Sequence, residues 1–426
     1  MKKHIIYKTL LALSLLLIAL SIIIHFVNKD VSVGYFIIPG LVLLALSVGG
    51  FPKFKGFAFS LWVFAAVTLS LSFPQLILTV GNFESKKLII PLLQIIMFGM
   101  GSQMSLKDFE GVIKMPKGVI VGVVCQFTIM PVVGVSIATL FGFPPEIAAG
   151  IVLVGTSPSG LASNVMSFIA KANLALSVTL TAVATILAPL VTPLLMKLLA
   201  GQFIQINFWS MMIGIIDMVI LPIVAGLIFN LFLFGKNSRK GILIQLVSYL
   251  VIIGVKNFIF FQVNEVSFQE ISGMFIKNIG WFFIMPVILA RLFKFVADGR
   301  RDILDKILSL TSMIGIAVII AVITAAGRDS LIEVGFLLVI ACFLHNSFGY
   351  FLGYWSCRIL RMSERDCRTI ALEVGMQNGG LASGLALQMG KVATVGLAPA
   401  VFGPMMNITG SSLASWWRDK KPKAKS

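Results

Sequence analysis

Apolar runs of about 20 residues, the length a helix needs to cross a bilayer, recur at 5–27, 57–80, 118–143, 172–196 and 394–417. No other feature narrows the fold as much. In hydrocarbon every backbone N–H and C=O must find its partner within the protein, so a lone span is a helix. Strands of a membrane barrel alternate apolar and polar residues, and these runs do not. Charged residues make up 12% of the 426 positions, against about a quarter in an ordinary soluble domain. That is too little charge for a water-facing surface. The chain reads as an all-α polytopic membrane protein.

Fourteen segments follow from the pattern: 5–27, 33–51, 57–80, 88–106, 118–143, 147–170, 172–196, 208–235, 241–263, 272–296, 305–326, 331–357, 369–390 and 394–417. Positive charge tests this count, because cytoplasmic connectors collect Lys and Arg. With both termini cytoplasmic, 26 of the 34 basic residues fall on the inside and six on the outside, at Lys29, Lys86, Lys87, Lys197, Arg328 and Lys391. Lys256 and Lys277 lie within spans. This placement in short connectors also accounts for the net charge of +17, so nucleic acid is not an expected partner. The pair 241–263 and 272–296 is the weakest, and its helices are also readable as partly interfacial. The first segment follows Met1-Lys2-Lys3 with no small-residue cleavage site after it, and is read as a helix rather than a signal peptide. Cys125, Cys342, Cys357 and Cys367 have no pairing or metal spacing, and read mostly as small hydrophobes.

The tetrapeptide Gly-Leu-Ala-Ser occurs twice, at 160–163 and 380–383. Each copy follows a polar, glycine-rich break inside an apolar span. Each precedes a span with an Ala-Pro step, at Ala188-Pro189 and Ala398-Pro399. Paired broken helices in two halves point to a transporter's midplane site; close packing of small residues is the competing reading. In the first break Pro158 removes a donor, and Ser163 and Asn164 follow with oxygens suited to a hard cation. Ser177 and Thr181 share one face of the next span. In the second break, E-V-G-M-Q-N-G-G-L-A, Glu373 is a carboxylate at membrane depth. That costs several kcal/mol unless it is paired or solvated. A bound cation, a salt bridge to Arg368 and a shallow position are the alternatives. Asp217 could bind a proton or an ion, and is read in preference as a structural pair with Lys256 or a cavity-facing acid. His345 and Asn346 do not form a zinc set. No nucleophile–base arrangement or phosphate loop occurs, so no enzyme is expected.

These motifs resemble the bile acid:sodium symporter family. The residues that carry the resemblance are A-S-N-V after the first break, L-S-V-T-L-T at 176–181, Q-F-T-I-M-P at 126–131, H-N-S-F-G-Y at 345–350 and E-V-G-M-Q-N at 373–378. It covers about 57–235 and 303–418. It implies two inverted five-helix repeats, which form panel and core domains with crossing broken helices. The first repeat would occupy 57–205, and the second 206–238 and 303–418. Two extra helices at 1–56, an inserted pair at 239–302 and a basic tail at 419–426 lie outside that pattern. The resemblance also implies two coupling Na+ ions and no other cofactor. One ion would be held by Ser163, Asn164, Ser177, Thr181 and Glu373. The other would be held by Gln126, Glu373 and Gln377, with the carbonyls of Val374 and Met376. An organic anion would meet Gly160, Leu161, Asn378, Gly379, Met406 and Asn407. Leu161 stands where close bacterial relatives often have Thr, and Met406 where they have His. Both changes favour a more apolar anion.

The expected function is sodium-coupled symport of an organic anion, bile-acid-like or another carboxylate, across a bacterial inner membrane by alternating access. A cation/proton antiporter of similar broken-helix architecture and a non-transporting anion sensor are the alternatives.

Overall fold

The computed structural model describes residues 2–27, 33–51, 57–104, 110–234, 239–264 and 267–420. Lys29, Lys53, Lys55, Lys107, Lys236 and the tail lysines Lys421, Lys423 and Lys425 lie outside these, as do the side chains of Lys2, Lys3, Arg239 and Lys240. Each of the fourteen expected segments is helical, in order: α1 (Lys2–Val27), α2 (Gly34–Val48), α3 (Ala58–Ser72) with the single turn α4 (Pro74–Leu78), and α5 (Ile89–Gln103). After the short α6 (Gly111–Lys114) come α7 (Pro116–Leu140), the pair α8 (Pro145–Thr156) and α9 (Leu161–Ile169), and α10 (Leu174–Leu195). Then follow α11 (Phe208–Ile215) with α12 (Leu221–Phe234), α13 (Arg239–Val263), and α14 (Phe268–Ile279) with α15 (Met285–Ala297). The chain closes with α16 (Arg301–Ala326), α17 (Arg328–Ile359), the pair α18 (Glu364–Gly375) and α19 (Gly379–Gln388), and α20 (Leu397–Arg418). Among the described residues eight helical stretches are long and apolar enough to cross a membrane, including Leu246–Val263 and Gln269–Ala297 of the weakest expected pair. The only strands described, Thr79–Val80 and Phe83–Glu84, form a hairpin before α5. Gly81 supplies the positive φ of its turn.

Two groups of helices pack side by side. In one, α5 lies against α12 and α16, and α16 against α3. In the other, α7, α8, α10, α17, α18 and α20 surround the breaks. Further helices extend the first group: α1 packs on α2 and α2 on α3, while α15 and α13 pack on α12. The α5–α12 crossing brings backbone against backbone. A Cβ on Gly101 would collide with the carbonyl of Ile223, and one on Gly226 with the carbonyl of Phe98. Small residues permit this approach, which dispersion then rewards. Asn230 Nδ2 ties the crossing by donating to the Ser102 carbonyl at 2.6 Å. Gly226→Ala is expected to cost the upper end of the ~1–3 kcal/mol of overpacking. A melting temperature equal to wild type in detergent would contradict this packing.

Left-handed residues punctuate the chain with a regularity the sequence does not advertise. Gly142 precedes α8 and Lys171 follows α9; Arg361 precedes α18 and Gly390 follows α19. The interval within the first pair equals that within the second. Two of these four lack glycine's freedom, so the match lies in connector geometry rather than in composition.

Candidate functional site

Two helix breaks meet back to back. In the first, α8 stops at Thr156, Ser157 is extended, Pro158 has no N–H to continue the ladder, and α9 restarts at Leu161. In the second, α18 stops at Gly375, and α19 starts behind Asn378, whose Oδ1 accepts from Leu381 N at 3.0 Å. Ser159 and Gln377 form an antiparallel bridge, and Asn378 N donates to the Pro158 carbonyl at 2.8 Å. A Cβ at Gly160 would stand 3.2 Å from the Gln377 carbonyl, so a larger residue would crowd the two strands apart. A buried break needs partners for the carbonyls it frees, and side chains of neighbouring helices supply them. Gln126 Nε2 donates to Ser157 O at 2.9 Å, Thr192 to Thr156 O at 2.7 Å, and Asn346 Nδ2 to Gly375 O at 2.7 Å.

Glu373, on the last turn of α18, is 2% exposed. Its carboxylate accepts four hydroxyl hydrogen bonds, two at each oxygen. Ser163 and Ser177 donate to Oε1 at 2.7 and 2.5 Å, and Ser159 and Thr181 to Oε2 at 2.6 and 2.9 Å. The alternative partner Arg368 is engaged elsewhere. It faces Glu364, one helical turn back, at 3.1 Å, and donates to the carbonyls of Ala170, Trp417 and Lys420. Asn164 Oδ1 also faces Ser177 at 2.8 Å and Thr181 at 3.2 Å, and the Gly160 carbonyl faces Ser163 at 2.7 Å. Four hydroxyls carry four protons, yet they make seven oxygen–oxygen contacts. The cluster is richer in lone pairs than in hydrogens, which is the chemistry of a hard-cation site.

Gln126, Gln377 and Val374 form a second, adjoining set. Gln126 Nε2 donates to Gln377 Oε1 at 2.7 Å, and Gln377 Nε2 donates to the Val374 carbonyl at 2.6 Å. Gln126 Oε1 is buried without a partner, an acceptor facing no donor. Met376 is buried beside them. All four hydrogen bonds to Glu373 come from the hydroxyl set, none from Gln126 or Gln377.

The residues expected to meet an anion are less uniform. Leu161 is half-buried at the start of α9, and Gly379 opens α19 beneath the Pro399 carbonyl. Asn378 spends its oxygen capping α19, Asn407 Nδ2 donates to Gly403 O in its own helix at 3.0 Å, and Met406 is buried. His345 meets the Met130 carbonyl at 2.9 Å through Nε2, and Thr409 donates to Asn346 Oδ1 at 2.5 Å. Among the described residues no cluster of His, Cys, Asp and Glu could hold a metal, and all four cysteines are buried thiols. Sequence reasoning missed Ser159. Its signal was available, since it lies between Pro158 and Gly160 in the break itself.

Membrane-length helices, paired breaks at one crossing and a lone-pair-rich carboxylate are features that an ion-coupled membrane transporter requires. A model described as the sodium bile acid symporter family matches residues 90–266. The chain is 34% identical over 371 residues to the uncharacterized sodium-dependent transporter YocS of Bacillus subtilis (strain 168), covering 87% of this chain and 94% of that protein. It is 29% identical over 366 residues to the probable sodium/metabolite cotransporter BASS1, chloroplastic, of Arabidopsis thaliana, covering 86% and 74%. The rice protein (Oryza sativa subsp. japonica) of the same description is 28% identical over 388 residues, covering 90% and 77%. The chain belongs to the sodium bile acid symporter family, and is an integral membrane protein of a sodium-dependent transporter class rather than an enzyme.

Proposed function

We propose that this protein carries an organic anion, bile-acid-like or another carboxylate, together with two Na+ ions, by alternating access in the inner membrane with both termini cytoplasmic. The excess of oxygen contacts over protons around Glu373 is the observation that carries this reading. A sodium ion placed among Ser163, Asn164, Ser177, Thr181 and Glu373 would take up the unmatched lone pairs. A second would use Gln126 Oε1 with Gln377, Glu373 and the carbonyls of Val374 and Met376. The starts of α9 and α19 converge on the crossing, so the positive ends of two helix dipoles favour an anion there. Gly160, Leu161, Asn378, Gly379, Met406 and Asn407 would form its contacts.

In this reading 57–205 and the pair 206–238 and 303–418 are inverted repeats of one another. The antiparallel bridge between the breaks and the equal intervals of left-handed residues fit a two-fold relation. The helices α3, α5, α11–α12 and α16 would be the panel, and the group around the breaks the core. Two Na+ with one monoanion would move net positive charge inward, so uptake should respond to membrane potential.

The test is uptake of radiolabelled carboxylates, headed by a bile acid, into proteoliposomes with a sodium gradient and with potassium in its place. Uptake equal in the two cations would refute sodium coupling. Sodium-driven pH change without an organic substrate would favour the antiporter, and binding without flux the sensor. Within the symporter reading, Ser177→Ala and Gln126→Ala are expected each to weaken mainly one ion. The Hill coefficient for sodium should fall toward one while uptake persists at high sodium. A Hill coefficient unchanged in both variants would sink the two-ion assignment.

A further inference from the structure

A cavity of about 890 Å³ lies between α5, α11–α12, the helices α13–α15 and Gln388 at the far end of α19. None of the residues from either break lines it. Its walls are mostly apolar, and its volume is within the ~300–1,000 Å³ usual for small-molecule sites. Against that background its polar groups are unexpected. Lys256, 3% exposed, pairs with Asp217 at 2.5 Å across the wall. Lys277 is exposed and forms no ion pair among the described residues, so the lining of two lysines and one aspartate carries one net positive charge. Beside Lys277, Asn278 is 9% exposed and its amide nitrogen has no hydrogen-bond partner. A buried donor without an acceptor costs roughly 1–3 kcal/mol, and Asn278 is one of the residues that line the cavity.

The backbone singles out the same place. Two of the three π-helical stretches described, Ile216–Ile220 and Gly280–Ile284, contribute Asp217, Trp281 and Phe282 to the lining. Such bulges re-aim side chains and are frequent at functional sites. The Asp217 carbonyl, inside the first stretch, accepts from Gln94 Nε2 of α5 at 3.1 Å. Charge, orphan donor and local geometry thus coincide on one cavity.

We propose that this cavity binds an amphiphilic monoanion, with a carboxylate, sulfonate or phosphodiester head at Lys277 and Asn278 and an apolar body along the remaining wall. The fixed Asp217–Lys256 pair positions Lys256 as a neighbouring dipole rather than a free charge. A dianion would exceed the single spare cation, and a neutral lipid would leave it unpaired. The head is shared by free fatty carboxylates and by anionic phospholipids, and the experiment separates them.

Trp281 on the cavity wall gives the readout. The full-length protein in phosphatidylcholine nanodiscs is titrated with 12-bromododecanoate and with its methyl ester, and tryptophan quenching is compared with that of Trp281→Phe. Saturable quenching of the Trp281 component by the acid and not the ester is expected, weakened at least tenfold in Lys277→Gln and retained in Lys277→Arg. Discs containing brominated phosphatidylglycerol identify the source. Quenching of Trp281 beyond that by brominated phosphatidylcholine, reversed by dodecanoate, assigns a phospholipid; its absence assigns a free amphiphile. Equal quenching by acid and ester overturns the proposal without recourse to any lysine variant. Lys277→Gln titrating like wild type, or no saturable Trp281 component with any probe, overturns it equally.

Discussion

Glu373→Gln is expected to abolish sodium-stimulated uptake and to weaken sodium binding by at least about 100-fold, a loss of roughly 2.7 kcal/mol. Glutamine preserves the shape and one acceptor oxygen but removes the charge. Its amide nitrogen would face Ser and Thr hydroxyls that already donate into the carboxylate, so two of the four bonds must reverse. Hydrogen bonds to a charged group contribute roughly 1.5–3 kcal/mol each, and a cation gains its main counter-charge only from the carboxylate. The measurement is the sodium-dependent rise in melting temperature, with uptake beside it. If the variant still responds to sodium over potassium as wild type does, the cation does not sit at Glu373.

The second large effect concerns stability. Arg368, 2% exposed, joins three parts of the chain: Glu364 on its own helix, the end of α9 at Ala170, and the end of α20 at Trp417 and Lys420. The guanidinium also lies over the Trp417 ring, 5.8 Å from its centroid. Arg368→Gln should cost about 3 kcal/mol, the lower end of the range for breaking a buried pair. It is the lower end because Glu364 keeps Tyr354 at 2.7 Å and Arg358 at 3.7 Å. Arg368→Lys should recover only part, since an ammonium cannot reproduce the planar fork. Thermal unfolding in detergent checks both, and a lysine variant as stable as wild type would show that the fork geometry is unimportant.

The spans were legible because lipid leaves the chain so few options: an apolar run of sufficient length must become a helix. The breaks were legible from Pro158 and from the glycines around Gln377, each of which interrupts a ladder on local grounds. The convergence of Ser163, Ser177 and Thr181 on Glu373 was not legible from local rules, because it joins residues roughly two hundred positions apart. It entered through family resemblance. The Arg368 pairing with Glu364 rather than Glu373 was readable in principle. Residues four apart share a helix face, whereas five apart do not. Asp217 pairs with Lys256 and also lines a cavity, so the two readings that the sequence left open for it, structural pair or cavity-facing acid, describe the same place. Nothing in the sequence indicated which helices the flanking ones would pack on, α2 on α3 and both α13 and α15 on α12, because their apolar faces carry no address.

The antiparallel contact of Ser159 with Gln377, closed by Asn378 N on the Pro158 carbonyl, has a mechanical corollary. Two main-chain segments stitched in a buried interior part only if their polar groups find other partners, and a group left stranded in hydrocarbon costs several kcal/mol. The crossing is therefore a rivet rather than a hinge. A rearrangement of the helices around it would leave Glu373 and the hydroxyls that donate to it in fixed register.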